Sequence, residues 1–341
     1  MNTDLIVALQ RGLPLVRRPF AALGSACGMA ENDVLAQVIT MFAQGTARRL
    51  GAVFDARRLG YQSTLCALLL PPEERDAVAA RIVPHSGVTH CYLRGWPADL
   101  DPHLPSDCRG ESLPNLWFTL AAPVGTFDAA RTQLREAVAP HAMLDMPARR
   151  RFKIDVVFNP ATRASSEHIP PLDPSDASVP LDVSVFSPQD RALVRRLQGS
   201  LPLEAEPFAA VARELGWDAD TLVARLNAWQ ANGVLRRVAL IVRHRLLGFK
   251  ANGMCVWHVA ESDVVAAGRI LAAQPEVTHC YERACDARFV YNLYAMIHTG
   301  TWLDTQALFQ RIADMAALRD GRLLCSIKEY KKTSPEYFKE S

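Results

Sequence analysis

The spacing of apolar residues changes period several times along the second half of the chain. Residues 188–197 and 207–215 carry apolar side chains three and four apart, the spacing of amphipathic helices. Gly216 then breaks the pattern, Asp218 or Asp220 can cap a third helix running to about Asn232, and Gly233 ends it. Two helices, a glycine turn and a further helix make a helix-turn-helix. The β-rich, alternating stretch RRVALIV (236–242) reads as the wing that follows such a motif. Beyond it the pattern predicts a strand at 254–259, a helix at 263–273, strands at 277–283 and 291–298, a helix at about 301–316 and a strand at 323–330. That order, βαββαβ, is the ferredoxin-like unit. The first half repeats it, with a third helix at 31–45, strands near 63–70, 88–94, 115–121 and 151–158, and helices near 73–82 and 127–139.

The two halves are copies. A shift of 188 residues places Pro14 on Pro202, Phe20 on Phe208, Gly28 on Gly216, Arg48–Arg49 on Arg236–Arg237, Arg57 on Arg245 and Gly60 on Gly248. One further residue brings the word VTHCY at 88–92 onto VTHCY at 277–281. The expected fold is therefore α+β, a tandem duplication in which each unit is a winged helix-turn-helix followed by a ferredoxin-like domain. The boundaries are 1–55 and 56–158 for the first unit, a linker rich in Pro, Ser and Asp at 159–187, and 188–243 and 244–341 for the second.

Composition narrows the function. The net charge of +2 gives no global pull toward nucleic acid. The third helices, ENDVLAQVITMFAQG (31–45) and DADTLVARLNAWQANG (218–233), hold a single base between them, Arg225, so they read as scaffold and DNA is not an expected partner. No apolar run approaches the ~18 residues of a membrane span. The opening MNTDLIVALQRG lacks a cleavage site, and the eight cysteines form no CxxC pair. A cytoplasmic protein with reduced thiols is expected.

A winged helix followed by βαββαβ resembles the Lrp/AsnC family of regulators. The stretches RRLGAVFDARRLGYQST (48–64), VTHCYLR, VTHCYER, YNLYAMIH (291–298) and KEYKKTSPEYF (328–338) are more specific. They resemble the sirohaem decarboxylases, in the fused D–L form of haem d1 biosynthesis, across both units. The resemblance implies a carboxy-lyase that removes carbon dioxide from two acetates of sirohaem to give 12,18-didecarboxysirohaem. It implies a tetrapyrrole with eight carboxylates as substrate, no separate cofactor, an iron that belongs to the substrate, and other haem d1 biosynthesis enzymes as partners. The alternative is a tetrapyrrole-sensing regulator of Lrp type.

Such a substrate asks for cations and aromatic walls. Arginine suits carboxylates because its planar fork forms two charge-assisted hydrogen bonds. The candidates are Arg48, Arg49, Arg57, Arg236, Arg237, Arg245 and Lys250, with Tyr61, Tyr281, Tyr291 and Tyr294 as walls. The chemistry needs a proton donor near neutral pH, for which histidine is the natural choice. His90 and His279 lie mid-strand, expected on the face of Val88/Tyr92 and Val277/Tyr281, with Cys91 and Cys280 packed behind. His244 and His298 are asymmetric, since their counterparts are Ala56 and Ala121. Either could serve as acid or as axial ligand to the substrate iron. The insertion at 95–114 is a lid or a longer surface loop.

Overall fold

The structure, a computed structural model, describes residues 2–95, 113–166 and 185–339. The first unit runs α1 Thr3–Arg11, α2 Pro19–Cys27, α3 Glu31–Ala43, β1 Ala47–Phe54, β2 Tyr61–Leu68, α4 Arg75–Ile82, β3 Val88–Gly95, β4 Leu116–Pro123, α5 Phe127–Ala137 and β5 Leu144–Ile154. The second runs α6 Pro188–Leu197, α7 Pro207–Leu215, α8 Ala219–Ala231, β6 Leu235–Val242, β7 Ala251–Trp257, α9 Val264–Ala272, β8 Val277–Arg283, β9 Leu293–Thr299, α10 Trp302–Met315 and β10 Gly321–Lys332. The expected elements are all present. Strand β5 begins at Leu144, seven residues before the predicted start, because the charged run Arg149–Arg151 hides its alternation. Among the described residues no helix is long and apolar enough to cross a membrane.

The predicted wing is not a wing. RRVALIV forms β6, and β6 pairs antiparallel with β1 of the other unit, Leu50 opposite Leu240 and Ala52 opposite Val238. The two helix-turn-helix units thus share one two-stranded sheet and one apolar core, which includes Phe20, Leu50, Phe208, Trp229 and Leu240. The exposed side of α3 presents Asn32, Asp33, Ala36, Ile39 and Thr40, with no cation.

The ferredoxin-like units fuse in the same way. Their eight strands close a barrel in the order β10-β3-β4-β2-β5-β8-β9-β7. Strand β5 pairs with β8, and β10 pairs with β3, so each unit's free edges are consumed by the other. Helices cover the outside: Val78, Ile82, Phe118 and Leu134 fill one outer core, and Trp257, Leu271, Ile297 and Ile312 the other. A separate cluster, including Trp117, Met146, Met254, Phe289, Tyr291 and Tyr294, packs on the inward side of the strands.

A bulge corrects the facing of the repeated word. The ladder slips between Val88 and His90, and again between Val277 and His279. The extra residue turns Val88 outward with Cys91, and Val277 outward with Cys280, into the helix-covered cores. His90 and His279 are left on the inward face with Tyr92 and Tyr281.

The linker and the tail are also more involved than their composition suggests. Ser165 and Ser166 donate to the carbonyls of Glu276 and Pro275 (2.8 and 2.9 Å), and Phe186 joins the helix-turn-helix core, as does Phe158 just ahead of the linker. Tyr337, assigned by sequence to the second ferredoxin-like domain, is buried in that same core. The insertion at 95–114 falls almost wholly outside the described residues.

Candidate active site

The burial of its strands marks a hollow at one end of the barrel, the end where His244 packs on Phe158 of the helix-turn-helix core. Inward residues at that end are part-exposed, among them His90, Tyr92, Thr119, Asn252, His279, Tyr281 and Met296, while their outward neighbours Cys91, Phe118, Cys255, Cys280 and Ile297 are sealed under helices. In a solid barrel the inward residues would be the better buried set. The apolar cluster with Trp117 and Phe289 forms the floor.

Strand alternation lines this hollow from the repeated word itself. Along β3, His90, Tyr92 and Arg94 occupy alternate positions, and along β8 so do His279, Tyr281 and Arg283. The imidazoles stack loosely on the tyrosines, at 6.2 Å for His90–Tyr92 and 6.4 Å for His279–Tyr281. Each arginine lies over its tyrosine, at 5.4 Å for Arg94 and 4.8 Å for Arg283. Arg94 donates to Ser326 Oγ (3.1 Å), and Arg283 to the Met146 carbonyl (3.0 Å), while the Nε of each has no hydrogen-bond partner among the described residues.

His244 and His298 meet at the rim of the second unit. His244 opens a short helical turn, packs flat against Phe158 at 5.0 Å, and points edge-to-face at His298 at 5.2 Å. Among the described residues its ring makes no hydrogen bond. His298 is held at both nitrogens. Asn252 Nδ2 donates to its Nε2 (2.8 Å), which leaves the proton on Nδ1, facing Thr278 Oγ1 at 3.4 Å. Ser326 in turn donates to Asn252 Oδ1 (3.3 Å), so a directed chain runs from Arg94 through Ser326 and Asn252 to His298.

The field in the hollow is positive. Burial, and then Lys332, Arg48 and Arg94, hold His90 down to about 4. Burial, His90, Arg236 and Arg283 hold His279 at about 4. Burial, Lys332 and Arg245 hold His244 at about 3. His298 lies well below the usual imidazole value, chiefly by burial and then by its histidine neighbours. All four rings are therefore neutral at pH 7.

The predicted arginines divide into two groups. Arg57 and Arg245 occupy equivalent turns and make no side-chain hydrogen bond or ion pair among the described residues. Their charges reach the hollow: Arg57 acts on Tyr281 and Arg283, and Arg245 on Tyr92 and His244. The other predicted arginines are tied to the protein. Arg49 donates to the carbonyls of Ala52 (3.1 Å) and Gln198, Arg48 to that of Lys332 (3.0 Å), and Arg237 to that of Val156 (3.2 Å). Arg236 is paired with Asp55 at 2.7 Å, and Arg151 reaches the same carboxylate at 3.1 Å. Burial alone would raise Asp55, but these two guanidinium groups outweigh it and bring it to about 2. Lys250 is exposed ahead of β7.

Three of the four tyrosines predicted as walls are corrected. Tyr61 belongs to the helix-turn-helix core, where its hydroxyl accepts from the Phe338 N–H (2.8 Å) and its ring packs on Tyr337 at 5.0 Å. Tyr291 packs on Phe289 at 4.9 Å in the apolar floor. It precedes β9, whose Leu293 is five residues from His298, about 17 Å along an extended strand. Tyr294 lies in the same floor, its hydroxyl donating to Met146 Sδ (3.2 Å), so of the predicted walls Tyr281 lines the hollow, joined by Tyr92.

Sequence reasoning missed Arg94, Arg283, Lys332 and Asn252. The arginines were visible as the last letter of each repeated word, two residues past the tyrosine and so on the same face. Lys332 pairs with His90 across the β10–β3 seam, a contact no local pattern reveals.

Comparison with known proteins agrees with this architecture. The family model described as "AsnC-like ligand binding domain" matches residues 58–153 and 246–331, and "Siroheme decarboxylase NirDL-like HTH domain" matches 2–48 and 190–236. A siroheme decarboxylase of Hydrogenobacter thermophilus is 32% identical over 98% of this chain and 94% of its own. The siroheme decarboxylase NirDL subunit of Paracoccus denitrificans is 32% identical over 96% of this chain and 91% of its own. A crystal structure of the siroheme decarboxylase NirDL in co-complex with an iron-uroporphyrin III analogue superposes with a TM-score of 0.69, at 29% identity over 99% of this chain and 95% of that one. With both halves matched in both kinds of domain, and relatives aligned over nearly the full length, the chain belongs to the NirDL-type siroheme decarboxylase family.

Proposed function

We infer that this chain removes carbon dioxide from acetate side chains of sirohaem, a carboxy-lyase reaction giving 12,18-didecarboxysirohaem. The observation that carries the reading is the hollow barrel end, lined by histidine–tyrosine–arginine triplets and flanked by Arg57 and Arg245, which make no side-chain hydrogen bond or ion pair among the described residues. A ligand rich in carboxylates suits that positive field, and the tyrosine faces suit a flat macrocycle.

In the reaction the bond between the methylene carbon and the carboxylate carbon breaks. Its electron pair passes to the methylene carbon and into the conjugated ring, carbon dioxide leaves, and a proton completes the methyl group. The strong cations should hold the carboxylates that stay. Clamping the departing one tightly would stabilise the ground state and oppose the step. Arg57 and Arg245 serve as those anchors. His244, neutral and with no hydrogen bond to its ring among the described residues, is the group free to take a proton and deliver it, or to ligate the substrate iron. His298 has both nitrogens engaged and acts by holding His244 in place. The chain needs no cofactor of its own on this reading.

Anaerobic incubation of the pure protein with sirohaem, followed by mass spectrometry, tests this. Stepwise loss of two carbon dioxides is expected. Binding with no change of mass would instead support the tetrapyrrole sensor.

A further inference from the structure

The barrel has a pseudo-two-fold axis, so every rim position occurs twice. On the second unit's half of the rim, β8, β9, the turn before β7, and β10 present His279, His298, His244 and Lys332. The first unit's counterparts can be read from the paired registers. His90 faces Thr119 as His279 faces Met296, so Ala121 stands where His298 stands. Ser63 opposes Ala121 as Asn252 opposes His298. Ile154 opposes His279 as Lys332 opposes His90. The Ala56 carbonyl closes its turn onto Tyr61 as that of His244 closes onto Phe249. One half-rim therefore carries three histidines and a lysine, and the other carries His90 with Ala121, Ala56 and Ile154.

We propose that the hollow contains a single reaction centre, on the second unit's half-rim, and that the tetrapyrrole leaves and rebinds in a new orientation between its two decarboxylations. This rests on the reading of the chain as a sirohaem decarboxylase. Each loss needs its methylene carbon brought to the same proton donor, and the two acetates sit on different rings of a rigid macrocycle. Turning that macrocycle in place would break its contacts with Arg57, Arg245 and the other anchoring groups together, which is dissociation in all but name. The first unit's half-rim keeps anchoring groups, His90, Arg57 and Arg94, and so positions the substrate without cleaving it. Each loss balances alone: one carbon–carbon bond broken, one proton taken up, one carbon dioxide released.

Two experiments test this, both on the full chain. The first converts the second half-rim to the residues of the first, with His244→Ala, His298→Ala and Lys332→Ile made singly and together. Both losses should fall in parallel by at least 100-fold, with no build-up of a singly decarboxylated product. A combined variant that removes one carbon dioxide at the wild-type rate reveals a second centre and overturns the proposal. Should the combined variant fail to fold, as judged by circular dichroism, the His244→Ala variant supplies the same readout. In the second, wild-type protein is mixed with one equivalent of heavy-isotope sirohaem and then chased with excess unlabelled sirohaem. Labelled singly decarboxylated product should be trapped in solution. Label passing undiminished into the doubly decarboxylated product would overturn the release step. If the wild type removes no carbon dioxide at all, the functional reading has failed instead, and neither test bears on the number of centres.

Discussion

His244 and His298 stand 5.2 Å apart and are held by opposite means, one by ring packing alone and the other at both nitrogens. The difference assigns them separable effects. His244→Ala should lower decarboxylation by about 10²–10⁴-fold, the range for loss of a positioned acid. If the ring instead ligates the iron, the absorption spectrum of the complex should change while some turnover survives. Asn252→Ala should disturb His298 without touching substrate, and its effect should vanish in a His298→Ala background. Because the fold keeps all four histidines neutral at pH 7, a donor must acquire its proton when the substrate arrives. Carboxylates entering the hollow raise the affinity of a nearby imidazole for a proton. Titration calorimetry in buffers of different ionisation enthalpy should show proton uptake on binding at pH 7, and its absence would remove histidine as the acid. At the anchors, Arg57→Ala or Arg245→Ala should weaken sirohaem binding by about 1.5–3 kcal/mol, the worth of a charged hydrogen bond, with lysine a partial substitute. Arg49→Ala, cut from the Ala52 and Gln198 carbonyls, should lower stability and leave binding intact.

The elements explain what the sequence could and could not reveal. Periodicity and glycine breaks placed the helices and most strands within a few residues, because each is a local property of the chain. The antiparallel pairing of β1 with β6, and of β5 with β8, was hidden because it joins residues far apart in sequence and depends on two sheet edges meeting. The bulges at Thr89 and Thr278 were hidden for another reason: alternation assumes an unbroken ladder, and one extra residue reverses every outward and inward assignment before it. So the histidines of the repeated word were recognised while the valines beside them were placed on the wrong face. Tyr61 and Tyr291 misled because an aromatic side chain suits a wall and a core equally. The shared sheet also makes a testable demand. Gly51 in β1 lies so close to the turn after α6 that an added Cβ would sit 2.1 Å from the Gly199 carbonyl oxygen. Gly51→Ala must push the two units' helix layers apart, costing about 1–3 kcal/mol as overpacking does, visible as a lower denaturation midpoint. An unchanged midpoint would show that this contact is slack.

For the molecule as a whole, the duplication turns a regulator-like scaffold inward. The helix layers share a core, α3 presents no cation, and Arg225 of α8 is engaged by Asp190 at 3.2 Å, so binding to promoter-length DNA should be weak and collapse with added salt. A footprint at one sequence at physiological salt would restore the regulator. The hollow itself makes stability depend on acid. His90, His279 and His244 have folded-state values of about 4, 4 and 3 against 6.5 when unfolded. Below pH 6.5 the unfolded chain takes up protons that the folded hollow refuses, so stability is fully present above that pH and drains as pH falls toward the folded values. Each such histidine withdraws about 1.4 kcal/mol per pH unit across that window. The urea midpoint of the ligand-free protein should therefore drop steeply between pH 6.5 and 4. His244→Phe, which keeps the packing against Phe158, should make the slope shallower by about one proton. Bound sirohaem should flatten it further, because its carboxylates let the histidines charge without unfolding. A midpoint that holds steady or rises as pH falls through this range would mean that the hollow admits protons freely, and that its histidines are not kept neutral by the fold.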